Sequence, residues 1–285
     1  MTRPYKTVEA NGLGHAYLED GPSDGAPVLL LHGFPDHAPS FRHQMPALAA
    51  EGYRVLAPWL RGYAPTALAP DGVYTSDALV ADAAGLIDAL AGGRAHVVGH
   101  DWGAVVGYGL AAAHPEKVAS LTAIAIPHPA KFGMALLGGD YDQLRRSWYM
   151  FFFQMAGIPD AVVPADNFRF IDRLWEDWSP GYRRSAEEKA ELDECFAQPG
   201  VVQAALGYYR AMFSGGGGGA APIPMATTVI FGADDGCVSP ALCEGMEGFF
   251  PGGVQVEVIP GAGHFVHLEK PDDVTRLILE RIRAA

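Results

Sequence analysis

The chain has 285 residues, 49% of them hydrophobic and 19% charged, and a formal net charge of −13. That composition suits a globular fold with one large core or a core plus a subdomain. The acidic balance repels phosphate backbones and anionic lipid, which argues against nucleic-acid and membrane-surface partners.

The N-terminal stretch MTRPYKTVEANGLGHAYLED has no apolar run behind its charges, so it does not read as a signal peptide. Short apolar runs follow at Val28 to Leu31, Tyr53 to Ala57, His96 to Val98, Leu121 to Ile126, Thr227 to Phe231 and Val254 to Ile259. Each has the length and bounding turns of a strand buried on both faces. Between them, Ser76 to Ala91, Ala104 to Ala113 and Pro271 to Arg283 read as helices. Strands alternating with helices predict an α/β fold, with a mostly parallel sheet and helices on both faces.

The alternation stops between Pro129 and Pro222. This stretch is rich in aromatics, ends in a glycine run over 214–219, and reads as helices without strands. It is expected to be a helical cap, residues 129–222, inserted into a core formed by 1–128 and 223–285. Extra helices packed on the sheet edge are the alternative.

Four motifs carry chemistry, each following an expected strand. The first is His32-Gly33-Phe34-Pro35-Asp36. The second, Gly99-His100-Asp101-Trp102-Gly103, has the frame of a nucleophile elbow, with Asp where a serine hydrolase has Ser. Its glycines suit a strand-to-helix turn too tight for side chains. Asp101 as a simple N-cap of the next helix is the competing reading. The third motif, Gly232-Ala233-Asp234-Asp235, offers two carboxylates. The fourth, Gly261-Ala262-Gly263-His264, offers an imidazole. Nucleophile, acid and histidine in that chain order is the α/β-hydrolase order.

These residues resemble the epoxide hydrolase branch of the α/β-hydrolase superfamily, related to haloalkane and fluoroacetate dehalogenases. The resemblance runs from about Gly12 to Ala284. It implies Asp101 as a nucleophile toward saturated carbon, His264 as general base and Asp235 as the acid that orients it. The amides of Phe34 and Trp102 become the oxyanion hole. Tyr149, in SWYMFFFQ, matches the first of two cap tyrosines that polarise an epoxide oxygen. Counting back from Phe196-Ala197-Gln198-Pro199-Gly200 places the second at Leu192, with Tyr208 and Tyr209 one cap helix later as substitutes. Trp148, Phe152, Phe153, Leu192, Tyr208, Tyr209 and Phe265 are expected to line the substrate pocket.

The leading expectation is therefore hydrolysis of a small hydrophobic epoxide to a vicinal diol through an ester on Asp101. A hydrolytic dehalogenase, with Trp102 and Trp148 as halide donors, is the alternative. A binding protein that kept the pocket is a third reading. No cofactor and no metal are implied. Cys195, Cys237 and Cys243 lack Cys-x-x-Cys spacing and suit free thiols in a reducing cytoplasm. A monomer or homodimer with no membrane span is expected.

Overall fold

The computed structural model describes residues 4–213 and 221–285. The glycine run at 214–219 lies outside them. Among the described residues, one eight-stranded sheet runs in the order β1-β2-β4-β3-β5-β6-β7-β8. Its strands are β1 Lys6–Ala10, β2 Leu13–Asp20, β3 Pro27–Leu31, β4 Arg54–Pro58, β5 Ala95–His100, β6 Val118–Ile124, β7 Thr227–Gly232 and β8 Val254–Ile259. From β4 to β8 every neighbouring pair is parallel. At the other edge β1 and β2 pair antiparallel, and β2 joins β4 antiparallel. The chain has an α/β fold with a mostly parallel sheet, as expected.

The six expected strands are all present. The central ones are buried on both faces, as in Val28, Leu29, Leu30 and Leu31. Each such side chain contributes about 1.5–3 kcal/mol of burial. The edge hairpin β1-β2 had no such signal. Its residues include Lys6, Glu9, His15 and Glu19, and β1 is mostly exposed. The run expected to end at Ile126 leaves the sheet at Ile124, because Ala125 takes φ +63°.

In the core, α1 (Gln44–Ala50), α2 (Ser76–Leu90) and α3 (Trp102–Ala113) flank the sheet. α3 starts two residues before the expected Ala104, directly after Asp101. Between β6 and β7 lie only helices among the described residues: α4 Pro129–Leu137, α5 Tyr141–Arg146, α6 Trp148–Phe152, α7 Ile158–Val162, α8 Ala165–Trp178, α9 Ala186–Phe196 and α10 Val201–Met212. We take residues 129–222 as the cap. The short α11 (Val266–Glu269) and then α12 (Pro271–Arg283) close the chain.

Candidate active site

Asp101 stands between β5 and α3 with φ +51° and ψ −119°. Glycine makes this turn possible. A Cβ on Gly99 would meet the Gly103 backbone, and one on Gly103 would meet the Leu31 carbonyl. Asp101 is the first residue before α3, yet its side chain makes no cap hydrogen bond. Instead its Oδ1 accepts from the Phe34 amide at 2.7 Å. The capping alternative is thereby excluded, and the carboxylate is only 4% exposed. Trp102 opens α3, so its amide is one of the first-turn donors with no intrahelical acceptor.

The other Asp101 oxygen, Oδ2, lies 3.6 Å from His264 Nε2. His264 Nδ1 lies 2.9 Å from Asp235 Oδ2. Asp235 Oδ1 accepts from the amides of Cys237 (2.7 Å) and Val238 (2.9 Å), which fixes the carboxylate. The sequence offered two acids here, and the structure separates them. Asp235 is 1% exposed, whereas Asp234 is exposed. Burial opposes a charge on His264. The Asp235 carboxylate, which is hydrogen-bonded to Nδ1, and the nearby Asp101 carboxylate outweigh it and push the imidazole up to about 10. Behind the base, His100 Nε2 donates to the His264 carbonyl at 3.0 Å.

A cavity of about 420 Å³ opens over Asp101. Trp102, Tyr149, Met150, Tyr209 and Val238 line it, with apolar residues of α4 and α10. Asp101 is its only ionised lining group among the described residues. Tyr149 and Tyr209 are both buried, with ring centroids 5.6 Å apart. Burial pushes both phenols well above their usual value, so each keeps its proton. The Tyr149 hydroxyl is 3.4 Å from Cys237 Sγ. The Tyr209 hydroxyl bonds to no side chain or backbone group of the described residues.

The remaining expected pocket residues are placed elsewhere. Leu192 faces a separate small cleft beside Asp36, His37 and Trp175. Tyr208 turns into the core, where its hydroxyl donates to the Arg61 carbonyl at 2.7 Å. Phe265 stacks on Trp175 with centroids 3.4 Å apart. Phe153 is fully buried behind the cavity, edge-on to Phe34 and Tyr209. Phe152 packs on Phe170. Trp148, 45% exposed, packs against Phe152 and Phe170 outside the lining. For the residues of α6 and α10 the cause is that an aromatic-rich helix buries several faces, and only one of them looks into the cavity.

Sequence reading missed the residues that fasten the cap to the catalytic loops. The Trp178 carbonyl, at the end of α8, accepts from the amides of both Gly236 (3.0 Å) and His264 (2.9 Å). Ser179 Oγ accepts from the Phe265 amide at 2.9 Å. Trp175 Nε1 donates to the Pro35 carbonyl at 2.9 Å. Arg146 donates to the Asp235 carbonyl. The short run Trp178-Ser179-Pro180-Gly181 at the end of α8 is the local signal that points to two of them.

A sheet, an elbow and an acid–histidine pair in this order define a class. The model of the α/β hydrolase fold family matches residues 26–271, and the chain belongs to that family. It is 34% identical over 283 residues to the AB hydrolase superfamily protein YfhM of Bacillus subtilis, covering 97% of this chain and 96% of that one. It is 31% identical to epoxide hydrolase A of Mycobacterium tuberculosis, covering 96% of each. The crystal structure of Bacillus megaterium epoxide hydrolase in complex with an inhibitor superposes with a TM-score of 0.85 at 28% identity, over 98% of this chain and 100% of that one. The chain is thus an epoxide hydrolase-like α/β-hydrolase.

Proposed function

We propose that this enzyme opens a hydrophobic epoxide to a vicinal diol in two steps. One observation carries the reading: the elbow nucleophile is a carboxylate, and the cavity over it holds two buried, protonated phenols. A carboxylate attacking an ordinary ester gives a reactive anhydride. Attacking saturated carbon, it gives a stable ester. Asp101 Oδ2 bonds to an epoxide carbon while the ring C–O bond breaks. The ring oxygen takes a proton from Tyr209 or Tyr149.

His264 then removes a proton from water, which attacks Asp101 Cγ. Oδ1 carries the developing negative charge toward the amides of Phe34 and Trp102. Asp235 holds the imidazolium that forms. The Cγ–Oδ2 bond breaks, the His264 imidazolium gives its proton to the departing Oδ2, the diol leaves, and the water oxygen stays in Asp101. Esterification also readies the base. It removes the Asp101 charge that helps hold His264 protonated in the resting site, so the imidazolium releases its proton to solvent before it acts as base.

Tyr209 supplies the second phenol that the sequence count sought at Leu192. With both phenols in the cavity, a mere binding protein has no observation in its favour. The dehalogenase alternative required two indole donors around a halide, and Trp148 stands outside the cavity.

The test is a His264→Gln variant treated with styrene oxide and read by mass spectrometry of the peptide containing Asp101. The expected result is an accumulated ester. In the unaltered enzyme, one turnover in ¹⁸O-water should label Asp101 and leave the first diol unlabelled. Asp101→Asn should lower diol formation by about 10³-fold or more. An adduct with a haloalkane and none with any epoxide reverses the reading.

A further inference from the structure

Tyr149 and Tyr209 share the cavity, but their hydroxyls are not equivalent. The Tyr209 hydroxyl makes no direct hydrogen bond among the described residues and has Trp102 and the Tyr149 phenol as its polar neighbours, whereas Tyr149 meets the thiol of Cys237 at 3.4 Å. Cys237 is 1% exposed and pinned on both sides. Its amide donates to Asp235 Oδ1 at 2.7 Å, and its carbonyl accepts from Gln143 Nε2 at 3.1 Å. The side chain therefore leaves a rigid backbone directly beside the acid of the site. Burial pushes the thiol well above its usual value, so it stays an S–H.

We propose that Cys237 is a positioning residue for Tyr149, its S–H donating to the phenol oxygen and so turning the phenol's own O–H toward the epoxide. A hydroxyl has one proton and two acceptor sites. Once the thiol occupies an acceptor site, the O–H needs another partner. Around Tyr149 stand the rings of Phe153, Trp178 and Tyr209, and the cavity that both phenols line is where an epoxide oxygen can accept from it. The inference rests on the ester reading of Asp101. In ring opening Tyr149 gives its proton to the epoxide oxygen as the Oδ2–carbon bond forms and the ring C–O bond breaks. The thiol keeps its own proton and stabilises the phenolate by hydrogen bonding until water reprotonates it.

Rapid-quench measurement of the ester with styrene oxide separates its formation from its decay. Cys237→Val should slow formation by about five- to tenfold, the worth of one hydrogen bond, and leave decay within about twofold. Cys237→Ser, which keeps a donor, should restore formation to within about twofold of the unaltered enzyme. In a Tyr149→Phe background the Val substitution should add nothing, since its target is gone. If the Val variant does not fold, Cys237→Ala is read the same way. Unchanged formation, equal slowing of both steps, or full additivity with Tyr149→Phe each overturns the proposal. Those outcomes leave the Asp101 ester standing. Absence of any ester in the unaltered enzyme overturns both.

Discussion

At the residue scale the site is a line of charge and hydrogen bonds from Asp235 through His264 to Asp101, with two phenols facing it across an apolar cavity. The sign of the His264 shift sets the pH behaviour of the second step. In the resting site the imidazole is held protonated up to about 10. In the ester the Asp101 charge is gone, so the base deprotonates at lower pH. The ester of the unaltered enzyme should decay faster as pH rises, with an inflection well below 10, in single-turnover measurements. An inflection near 10 contradicts this coupling. Tyr209→Phe removes the phenol whose O–H has no other partner. Ester formation should fall by about 10²-fold with decay unchanged, as rapid quench will read.

At the element scale the end of α8 ties three loops together. Its last turn and the residue after it bind the Asp235 loop, the His264 loop and the Phe34-Pro35 loop through Trp178, Ser179 and Trp175. A cap fastened in this way keeps the catalytic loops in register with the tyrosines that α6 and α10 present. Ser179 is fully buried, and Ser179→Ala strands the Phe265 amide without its acceptor. The expected cost is ~1–3 kcal/mol. Chemical denaturation should show a lower midpoint at unchanged slope, together with a smaller kcat.

At the scale of the whole molecule, buried histidines set the pH range of stability. His32 is fully buried, with Nε2 accepting from the Leu60 amide and Nδ1 beside the Gly33 carbonyl. Burial pulls it down to about 4, so the fold holds it neutral. The unfolded chain binds that proton already near pH 6.5. Stability is therefore present above about 6.5 and is lost as pH falls toward about 4, by on the order of 3 kcal/mol from this residue. His264 acts in the opposite sense. Its raised value gives stability that is complete below about 6.5 and fades as pH climbs to about 10. Urea melts across pH should show both limbs. His264→Gln should flatten the alkaline one and leave the acid one.

The sequence by itself determined the parallel strands, the glycine-flanked elbow at Asp101, and the placing of the Phe34 loop, Asp235 and His264 after strands of the sheet. These are local features. A tight turn needs its glycines, a buried strand needs its apolar run, and both are written in adjacent residues. The tertiary structure decided what depends on the rotation of one element against another. Tyr208 and Tyr209 are neighbours on α10, about 100° apart around the helix. One turns inward to the Arg61 carbonyl, and the other enters the cavity. Counting along the chain pointed to Leu192, on a helix whose corresponding face looks into a different cleft. The same reason hid the edge hairpin, held by pairing to β4, and the partnership of Tyr149 with Cys237, 88 residues apart. Spacing in the chain places a residue on an element, and only packing says what it faces.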